Sequence, residues 1–178
     1  LNQEIADTNQ LKVVSQILSD HIRTSTVTDS MLQRAHALVE KARQFNDELL
    51  LAGALQNLFR CYLNRYESSK SLEYALEAYN LYEKNNDKSN IAYMLMQLGI
   101  IYYTQNNFAK SLEYYNNSVT AFEKIGDKSY IPTLYYLTGI NYSKLYNHPS
   151  ALVFFNRAKA MKAAQGDEQG VTECNIGL

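Results

Sequence analysis

The chain has 178 residues, the size of one ordinary domain, and 46% of them are hydrophobic. Its net charge of −1 argues against a general attraction to nucleic acid or to anionic lipid. No apolar run approaches the roughly 18 residues that a membrane helix needs. The composition therefore favours a folded protein that binds no nucleic acid and inserts into no membrane within this segment.

A short polar segment recurs at intervals of forty residues. A fixed period of this size is typical of proteins built from stacked repeats. The sequence therefore predicts a single array with units at approximately 1–45, 46–85, 86–125, 126–165 and a truncated 166–178. The recurring segments are Asn46-Asp47-Glu48-Leu49, Asn86-Asp87-Lys88-Ser89, Gly126-Asp127-Lys128-Ser129 and Gly166-Asp167-Glu168-Gln169.

The first unit is degenerate but keeps two apolar stripes at helical spacing. The segment between them, residues 23–30, is long and rich in Thr and Ser. Both features are typical of a capping repeat. The stripes consist of Leu11, Val14, Leu18 and Ile22, and of Leu32, Ala35, Leu38 and Ala42.

The later units each predict a helix A and a helix B joined by a short polar turn. In the unit that starts at residue 46, helix A carries Leu51, Leu55, Leu58 and Tyr62, which lie on one helical face. The predicted helix B stripes are Leu72, Ala75, Leu76 and Tyr79; Leu112, Tyr115, Val119 and Phe122; and Leu152, Phe155, Ala158 and Met161.

The recurring segment is expected to end one helix and begin the next. Gly126 and Gly166 suit the left-handed conformation that terminates helices. Asp127, Asp167 or the neighbouring Ser129 is expected to cap the following helix. Pro132 predicts that its helix starts near Ser129, since proline is tolerated in a first turn. Pro149 is expected in the first turn of its helix for the same reason.

The repeat residues resemble the tetratricopeptide repeat (TPR) pattern of a bulky residue, Leu, Gly and Tyr on helix A and small and aromatic residues on helix B. The first of the three forty-residue units departs from it, with Phe59 at the Gly position and Ala75 at the aromatic position. The matching residues are Leu95, Leu98, Gly99, Tyr102, Ser111, Tyr115 and Ser118, and Tyr135, Thr138, Gly139, Tyr142, Ala151, Phe155 and Ala158.

The resemblance implies an all-α fold, an α-solenoid of antiparallel helix pairs in a right-handed superhelix. We expect eight helices and a truncated ninth. The forty-residue unit and its recurring polar segment resemble those of the N-terminal TPR arrays of bacterial sensor and regulatory proteins. We therefore expect a fragment of a longer protein, periplasmic or cytoplasmic according to its flanking segments.

In the TPR family, helices A line a concave groove that binds a partner. The positions implied here are mostly apolar or aromatic, and they lack the Lys and Asn of the carboxylate clamp that some TPR grooves use. They favour an apolar segment, either an amphipathic helix or an extended peptide. The predicted groove residues are Gln56, Arg60, Tyr93, Met96, Ile100, Tyr103, Tyr136, Ile140 and Lys144.

Three readings of that row stay open. It is an exposed groove, a packed interior between adjacent helices, or a self-association face. An alternative function is a dimerisation module or spacer without a dedicated ligand, since a truncated last unit would expose Val171, Cys174 and Ile176. A homodimer is therefore a possible partner arrangement.

No catalytic constellation is present in the sequence. His21, His36 and His148 are isolated and have no helical His pair that would bind a metal. Cys61 and Cys174 lie far apart along the chain and are expected to be small buried residues. We therefore expect no cofactor, no metal and no enzymatic activity. The predicted function is a protein or peptide interaction scaffold, the signal-input module of a larger regulatory protein.

Overall fold

A computed structural model describes residues 7–177, which form nine α-helices joined by short turns, with no strand among them. The all-α prediction and the helix number are confirmed over this range. Residues 1–6 of the predicted first unit and the last residue lie outside it. The helices are α1 Thr8–Thr24, α2 Asp29–Gln44, α3 Glu48–Asn64, α4 Ser68–Lys84, α5 Lys88–Thr104, α6 Phe108–Ile125, α7 Ile131–Lys144, α8 His148–Ala164 and α9 Glu168–Gly177.

The chain forms two compact units that divide after Ile91. They are called the first and second unit, and the forty-residue segments of the sequence are called repeats. In the first unit, α3 packs against both α2 and α4, and α1 packs against α2 and α3. In the second unit, α7 packs against α6 and α8, and α9 packs mainly against α8. Each unit has its own core, and in the second unit one cluster of buried residues joins Ala92, Met96, Tyr115, Phe122, Ile131 and Leu134.

The turns recur every twenty residues, which is half of the period read from the sequence. Seven residues at this spacing have a positive φ, the left-handed conformation that Gly and Asn adopt most readily. Gly126 and Gly166 are among them with φ of 74° each, so their predicted role as helix terminators is confirmed. The others are Asn46, Tyr66, Asn86, Asn106 and Tyr146.

The residue after each left-handed residue commonly caps the next helix. The Asp47 carboxylate accepts a hydrogen bond from the Leu50 N–H at 3.0 Å, and the Asp167 carboxylate accepts one from Gly170 at 2.8 Å. Asp127 differs, because Ser129 donates to it through both its backbone N–H and its hydroxyl. Helix α7 consequently starts at Ile131, two residues later than the predicted start near Ser129.

The buried line of helix B contains five residues of the predicted stripe, namely Ala75, Tyr115, Phe122, Phe155 and Ala158. Its other members, apart from Tyr82, lie one residue away from the predicted ones. In α8 the small Ala151 is buried, whereas the neighbouring Leu152 is 51% exposed. The stripe prediction favoured large side chains, but close helix packing selects small ones. The hydroxyl of Ser71 donates to the Phe59 carbonyl at 3.1 Å, a contact that a larger side chain would prevent. The buried residues are Ser71, Ala75, Ala78 and Tyr82; Ser111, Tyr115, Ser118 and Phe122; and Ala151, Phe155, Ala158 and Lys162.

Helices A and B of a pair approach closely at the TPR glycine. A Cβ added to Gly99 would lie 2.4 Å from the Tyr115 ring, and one added to Gly139 would lie 2.7 Å from the Phe155 ring. Both distances are far below van der Waals contact, so the aromatic ring occupies the space that the missing side chain leaves. The glycines therefore hold the helix pairs of the second unit together by admitting a ring from the partner helix.

Candidate partner-binding surface

Most of the predicted groove residues belong to the second unit and share faces of α5 and α7. Tyr93, Met96, Ile100 and Tyr103 follow helical spacing on α5, and Tyr136, Ile140 and Lys144 follow it on α7. Lys144 is exposed, and the other residues apart from Met96 are half-buried. Half-buried apolar side chains on helix faces offer contact area to a partner while their inner atoms remain packed.

Met96 does not share this partial exposure. It is only 4% exposed and belongs to the buried cluster that includes Phe122 and Leu134. Its long, flexible side chain fills the core here. Tyr93 and Ile100 pack against the same cluster but keep part of their surface accessible. Met96 therefore supports the surface from beneath, and its expected role as an exposed anchor is not what the structure shows.

Aromatic contacts fix the half-buried tyrosines. The Tyr93 ring meets the Tyr130 ring edge-on, with centroids 5.6 Å apart. The Tyr103 ring lies 5.6 Å from the ring of Phe108. Such pairs stabilise ring orientations beyond the effect of buried area alone. The tyrosines are thus held in place before any partner arrives.

Tyr136 has a different environment, because a buried lysine lies beside it. The Lys162 ammonium is 5.5 Å from the centre of the Tyr136 ring and 3.4 Å from the Glu173 carboxylate. Its aliphatic chain occupies the space beside Gly170, where an added Cβ would lie 2.5 Å from the Lys162 Cδ. The ammonium is partly neutralised by Glu173 and Asp167, so the charge beside Tyr136 is not left uncompensated.

The two predicted residues of the first unit form polar contacts. The Arg60 guanidinium donates to the Ser19 hydroxyl at 3.0 Å, and the Gln56 amide donates to Asn90 at 3.5 Å. Both side chains are half-buried. The helix-A face is therefore polar in the first unit and apolar in the second. That the two faces form one continuous groove stays a prediction.

A cleft of about 330 Å³ lies between α1 and α3 in the first unit. Gly53 of α3 contributes to it, and a Cβ added there would meet nothing within 4 Å. The sequence prediction missed this cleft, although Gly53 in mid-helix was a visible signal. Its lining residues are Lys12, Ser15, Gln16, Asp47, Leu49, Leu50 and Gly53.

The prediction also missed a repeated aromatic pair at the end of each helix A. Tyr62 stacks on Tyr74, and Tyr102 stacks on Tyr114, with ring centroids 5.5 and 5.2 Å apart. A third pair, Tyr142 on Phe154, has its centroids 5.5 Å apart. Because the helix-B partner follows the small TPR residue by three positions, the spacing could have revealed these pairs. They stabilise the A–B hairpins rather than a binding surface.

The titratable groups show no reactive side chain at these surfaces. Burial raises the pKa of the Cys61 thiol to about 11, and burial also raises the pKa of Cys174. A thiol with a raised pKa is protonated at neutral pH and is a poor nucleophile. Over residues 7–177, no cluster of His, Cys, Asp and Glu side chains is arranged to hold a metal ion. His36 instead shares a hydrogen bond of 2.8 Å with the Tyr62 hydroxyl.

The last helix buries one of the three residues that the dimerisation alternative expected to be exposed. Cys174 is fully buried and Val171 is half-buried, since α9 packs against α8. The side chain of Ile176 lies outside the described residues. The expectation of an exposed apolar end is therefore wrong for Cys174.

Comparisons with known proteins agree on the fold. The sequence pattern of the tetratricopeptide repeat family matches residues 90–164. No curated protein matches the chain in sequence. In the part of the chain that the structure describes, no helix combines the length and apolarity needed to cross a membrane.

Solved structures similar to the chain include regulatory proteins. The apo form of RapI matches with a TM-score of 0.83 and 17% identity, covering 99% of this chain and 63% of that one. Aspartyl phosphate phosphatase F of Bacillus subtilis matches with a TM-score of 0.85 and 14% identity, covering 97% and 45%. A signal transduction ATPase with a tetratricopeptide repeat sensor, from Pyrococcus horikoshii, matches with a TM-score of 0.80 and 16% identity, covering 96% and 27%.

At these identities the likeness concerns the fold, and the chain spans less than two thirds of each of the three proteins. The family pattern adds the sequence evidence, because it covers the units that contain Gly99 and Gly139. The close approach of Tyr115 and Phe155 to these glycines is the packing that the TPR pattern requires. Residues 90–164 therefore match the tetratricopeptide repeat family, and the chain is similar in fold to the three solved structures.

Proposed function

We propose that the chain is a non-catalytic binding module that recognises an apolar segment of a protein or peptide. The observation that supports this most is the half-buried row of Tyr93, Ile100, Tyr103, Tyr136 and Ile140 in the second unit. Repeat proteins use the faces of successive helices as extended binding surfaces. Tyrosine contributes large contact area with few rotatable bonds, and this makes it common at the centre of interfaces.

The proposed place of this module is the signal-input part of a larger bacterial regulatory protein. Two similar structures support it, since one is described as carrying a tetratricopeptide repeat sensor and another as an aspartyl phosphate phosphatase. The chain spans only part of each, so an output would reside in other segments. The net charge of −1 favours an apolar contact over an electrostatic one.

A peptide-display selection against the purified chain tests this proposal. Peptides that bind are then measured against Tyr136→Glu and Ile140→Glu, which place a charge on the half-buried row. The matched control is Asn156→Glu, which adds the same charge at an exposed position of α8. We expect the two row variants to weaken binding by roughly thirtyfold or more, the scale of an interface hot spot, and the control to leave it unchanged.

Two outcomes would overturn the proposal. One is a set of selected peptides that bind the row variants as tightly as the unaltered chain. The other is a failure to select any apolar peptide although the protein is folded and monomeric. Circular dichroism of each variant separates loss of binding from loss of structure, because the fold is almost entirely helical. A concentration-dependent mass in sedimentation would favour the self-association alternative.

A further inference from the structure

One face of α1 corresponds to a face that α3 uses to contact its predecessor. Helix α3 begins at Glu48, forty residues after α1 begins at Thr8, and both helices have 17 residues, so their positions correspond one to one. The Asn57 amide of α3 donates to the Ser15 hydroxyl of α1 at 2.8 Å. The residue of α1 that corresponds to Asn57 is Ile17. Ile17 therefore lies on the side of α1 from which α3 contacts the preceding helix A.

Neighbouring positions of helix A contact the preceding helix B. On α7, Leu134 belongs to the same buried cluster as Phe122 of α6. Two turns further along α7, the Asn141 amide donates a hydrogen bond of 2.6 Å to a serine hydroxyl of α6. Three repeats earlier, the corresponding residues are Val14 and His21. This part of α1 therefore matches a surface that a helix B covers elsewhere.

The same positions are buried wherever a preceding helix covers them. Helices α3, α7 and α9 pack against α2, α6 and α8. Their residues equivalent to Val14 are at most 1% exposed, namely Ala54, Leu134 and Cys174. On α1, Val14 is only half-buried, and its neighbours Val13 and Ile17 are 59% and 52% exposed. The helices that pack against α1 in the described chain, α2 and α3, leave these apolar residues accessible.

A helix face without a covering helix is polar elsewhere in the chain. On α9, Thr172 and Asn175 are exposed. They lie at the positions of Ala52 and Leu55, which are fully buried in the first unit. Polar residues at such positions are typical of the outer face of a terminal repeat. The exposed face of α1 keeps its apolar residues instead, and this favours a partner that covers them.

We propose that Val13, Val14 and Ile17, here called the α1 face, bind an amphipathic α-helix of a partner protein. The bound helix would cover α1 in the manner in which α2 covers α3. The edge of the α1 face is polar, because Asp20 lies one turn beyond Ile17 and pairs with Arg23 at 3.0 Å. A polar rim around an apolar centre is typical of protein interfaces. The α1 face belongs to the first unit, so the inference goes beyond the proposed function.

The packing within each unit indicates which kind of helix fits. Helix α2 packs against α3, and its Ala35 and Ala42 are fully buried. Ser111 of α6 contacts α7 directly. Small residues let two helices approach closely, so that larger side chains of one fill the grooves of the other. The α1 face offers only branched residues, and a second copy of the same face would supply no small ones. A partner helix with Ala or Ser at every third or fourth position meets this requirement.

A peptide with the sequence of residues 28–46 provides the probe, since it contains α2 and its N-cap Thr28. Short helices are marginal in water, so a lactam between the exposed positions 33 and 37 keeps the peptide helical. The readout is the NMR shift of the methyl groups of the α1 face in the chain. We expect saturable shifts in the millimolar range, because a single helix covers few residues. The absence of saturable shifts would overturn the proposal.

Matched variants test whether the α1 face itself binds the peptide. Val13→Lys and Ile17→Lys place a charge on the face and should weaken binding by roughly tenfold or more, the scale of a contact at the centre of an interface. Gln16→Lys adds the same charge at an exposed residue of α1 beside the face and should leave binding unchanged. Equal binding by all three variants would contradict the assignment. Circular dichroism verifies that each variant remains helical.

A peptide variant tests the stated chemistry of the partner helix. Ala35→Lys combined with Leu38→Lys removes the apolar stripe of the peptide, since both residues are buried on α2. This peptide should produce no saturable shift. If it binds as tightly as the unaltered peptide, the α1 face does not recognise an amphipathic helix and the proposal is wrong.

Other occupants of the α1 face would give distinct results. A mass that rises with concentration in sedimentation, and that Ile17→Lys returns to the monomer, would identify a second copy as the occupant. Nuclear Overhauser contacts from Ile17 to Leu1 or Ile5 in the free protein would show that the chain covers the face itself. Either result would overturn the proposal. Tyr136→Glu should leave the peptide titration unchanged, so failure of the proposed function in the second unit is measured separately.

Discussion

The ring of Tyr115 lies 2.4 Å from the point where Gly99 would carry a Cβ. Gly99 belongs to α5 and Tyr115 to α6. The glycine lets the aromatic ring of α6 pack directly against the α5 backbone. The backbone carbonyl of Ser111 is 3.3 Å from the same point and leaves little room for displacement. The packing of this pair depends on the absence of a single carbon atom.

Replacing Gly99 with Ala is therefore expected to destabilise the fold. Overpacking of this kind costs about 1–3 kcal/mol, which exceeds the gain of about 0.5–1 kcal/mol that Ala brings to a helix interior. The control is Gly53→Ala, whose Cβ meets nothing within 4 Å and which should stabilise by the helix-propensity gain alone. Urea unfolding followed by circular dichroism gives both values. Equal signs for the two substitutions would contradict the packing argument.

Phe59 and Ala75 reverse the sizes of the Gly99 and Tyr115 pair. Both are fully buried. Phe59 lies forty residues before Gly99 on helix A, and Ala75 lies forty residues before Tyr115 on helix B. The ring thus comes from helix A here, and helix B supplies the small residue. The repeat at residues 46–85 therefore fills the space between its two helices with a large residue on helix A and a small one on helix B.

A double-mutant cycle tests this exchange. Ala75→Phe alone adds a second ring to a filled space and should destabilise, whereas Phe59→Gly alone leaves a cavity and should cost about 3–5 kcal/mol or more. The double variant reproduces the arrangement of Gly99 and Tyr115, with glycine on helix A and a ring on helix B. It should be more stable than the sum of the two single effects predicts. A coupling energy near zero would show that the two positions do not share a space.

Tyr66 and Tyr146 adopt positive φ values of 60° and 56°, although five equivalent turns have Asn or Gly. Their side chains are 90% and 86% exposed, so packing contributes little to hold this conformation. Tyr66→Asn and Tyr146→Asn should each stabilise the fold by up to about 1 kcal/mol, because Asn tolerates the left-handed region better. Thermal unfolding measures the gain.

The reverse substitution is the matched control for these turns. Asn106→Tyr places the aromatic residue at an equivalent turn with a φ of 58° and should destabilise by a similar amount. Tyr66→Phe keeps the backbone requirement and should leave stability unchanged. A loss of stability in Tyr66→Asn would indicate that the tyrosine ring itself stabilises the turn.

Asp127 links stability to pH at the start of α7. The Ser129 hydroxyl and backbone N–H donate to its carboxylate and lower its pKa below the usual value. Its unfolded pKa is about 3.9, so the stabilisation is present above this pH and is lost as the pH falls through the lower folded value. Ser129→Ala should reduce this pH dependence. The measurement is the urea midpoint of both proteins at about pH 7 and about pH 2.

Ser89→Ala supplies the control for that experiment. Ser89 lies forty residues before Ser129, at the same position of the preceding repeat. There the Asp87 carboxylate accepts a hydrogen bond from the Asn90 backbone N–H at 3.1 Å instead. Its removal should leave the pH dependence unaltered. If Ser129→Ala and the unaltered chain lose the same stability on acidification, the hydroxyl contributes nothing to the ionised state of Asp127.

The sequence pattern was sufficient for the helices but not for their contacts. Spacing predicted the turns at Gly126 and Gly166 because glycine marks a positive φ directly. It also predicted turns that contain Tyr66 and Tyr146, but not the positive φ of these residues, since nothing in a tyrosine indicates that conformation. Apolar periodicity selected Leu152 for the core and overlooked Ala151, because hydrophobicity does not report how closely two backbones approach.

The candidate binding surface shows the same limit. The TPR pattern identified which side chains share the helix-A faces, but not which of them remain accessible. Met96 was expected at the surface, yet it is buried because Phe122 and Leu134 leave a space that it fills. The cleft near Gly53 lies where a helix-A residue has no side chain. A search for functional groups does not detect a missing side chain.

The twenty-residue recurrence of the turns has a consequence for folding fidelity. From α2 to α8, helices A and B have similar lengths and each is followed by a residue with positive φ, so main-chain geometry does not distinguish one from the other. A helix that paired with the wrong neighbour would still find a compatible turn. The distinction is made by side-chain volume, with Gly99 and Gly139 opposite Tyr115 and Phe155. Correct topology therefore depends on a few glycine–aromatic contacts that reject an array shifted by one helix.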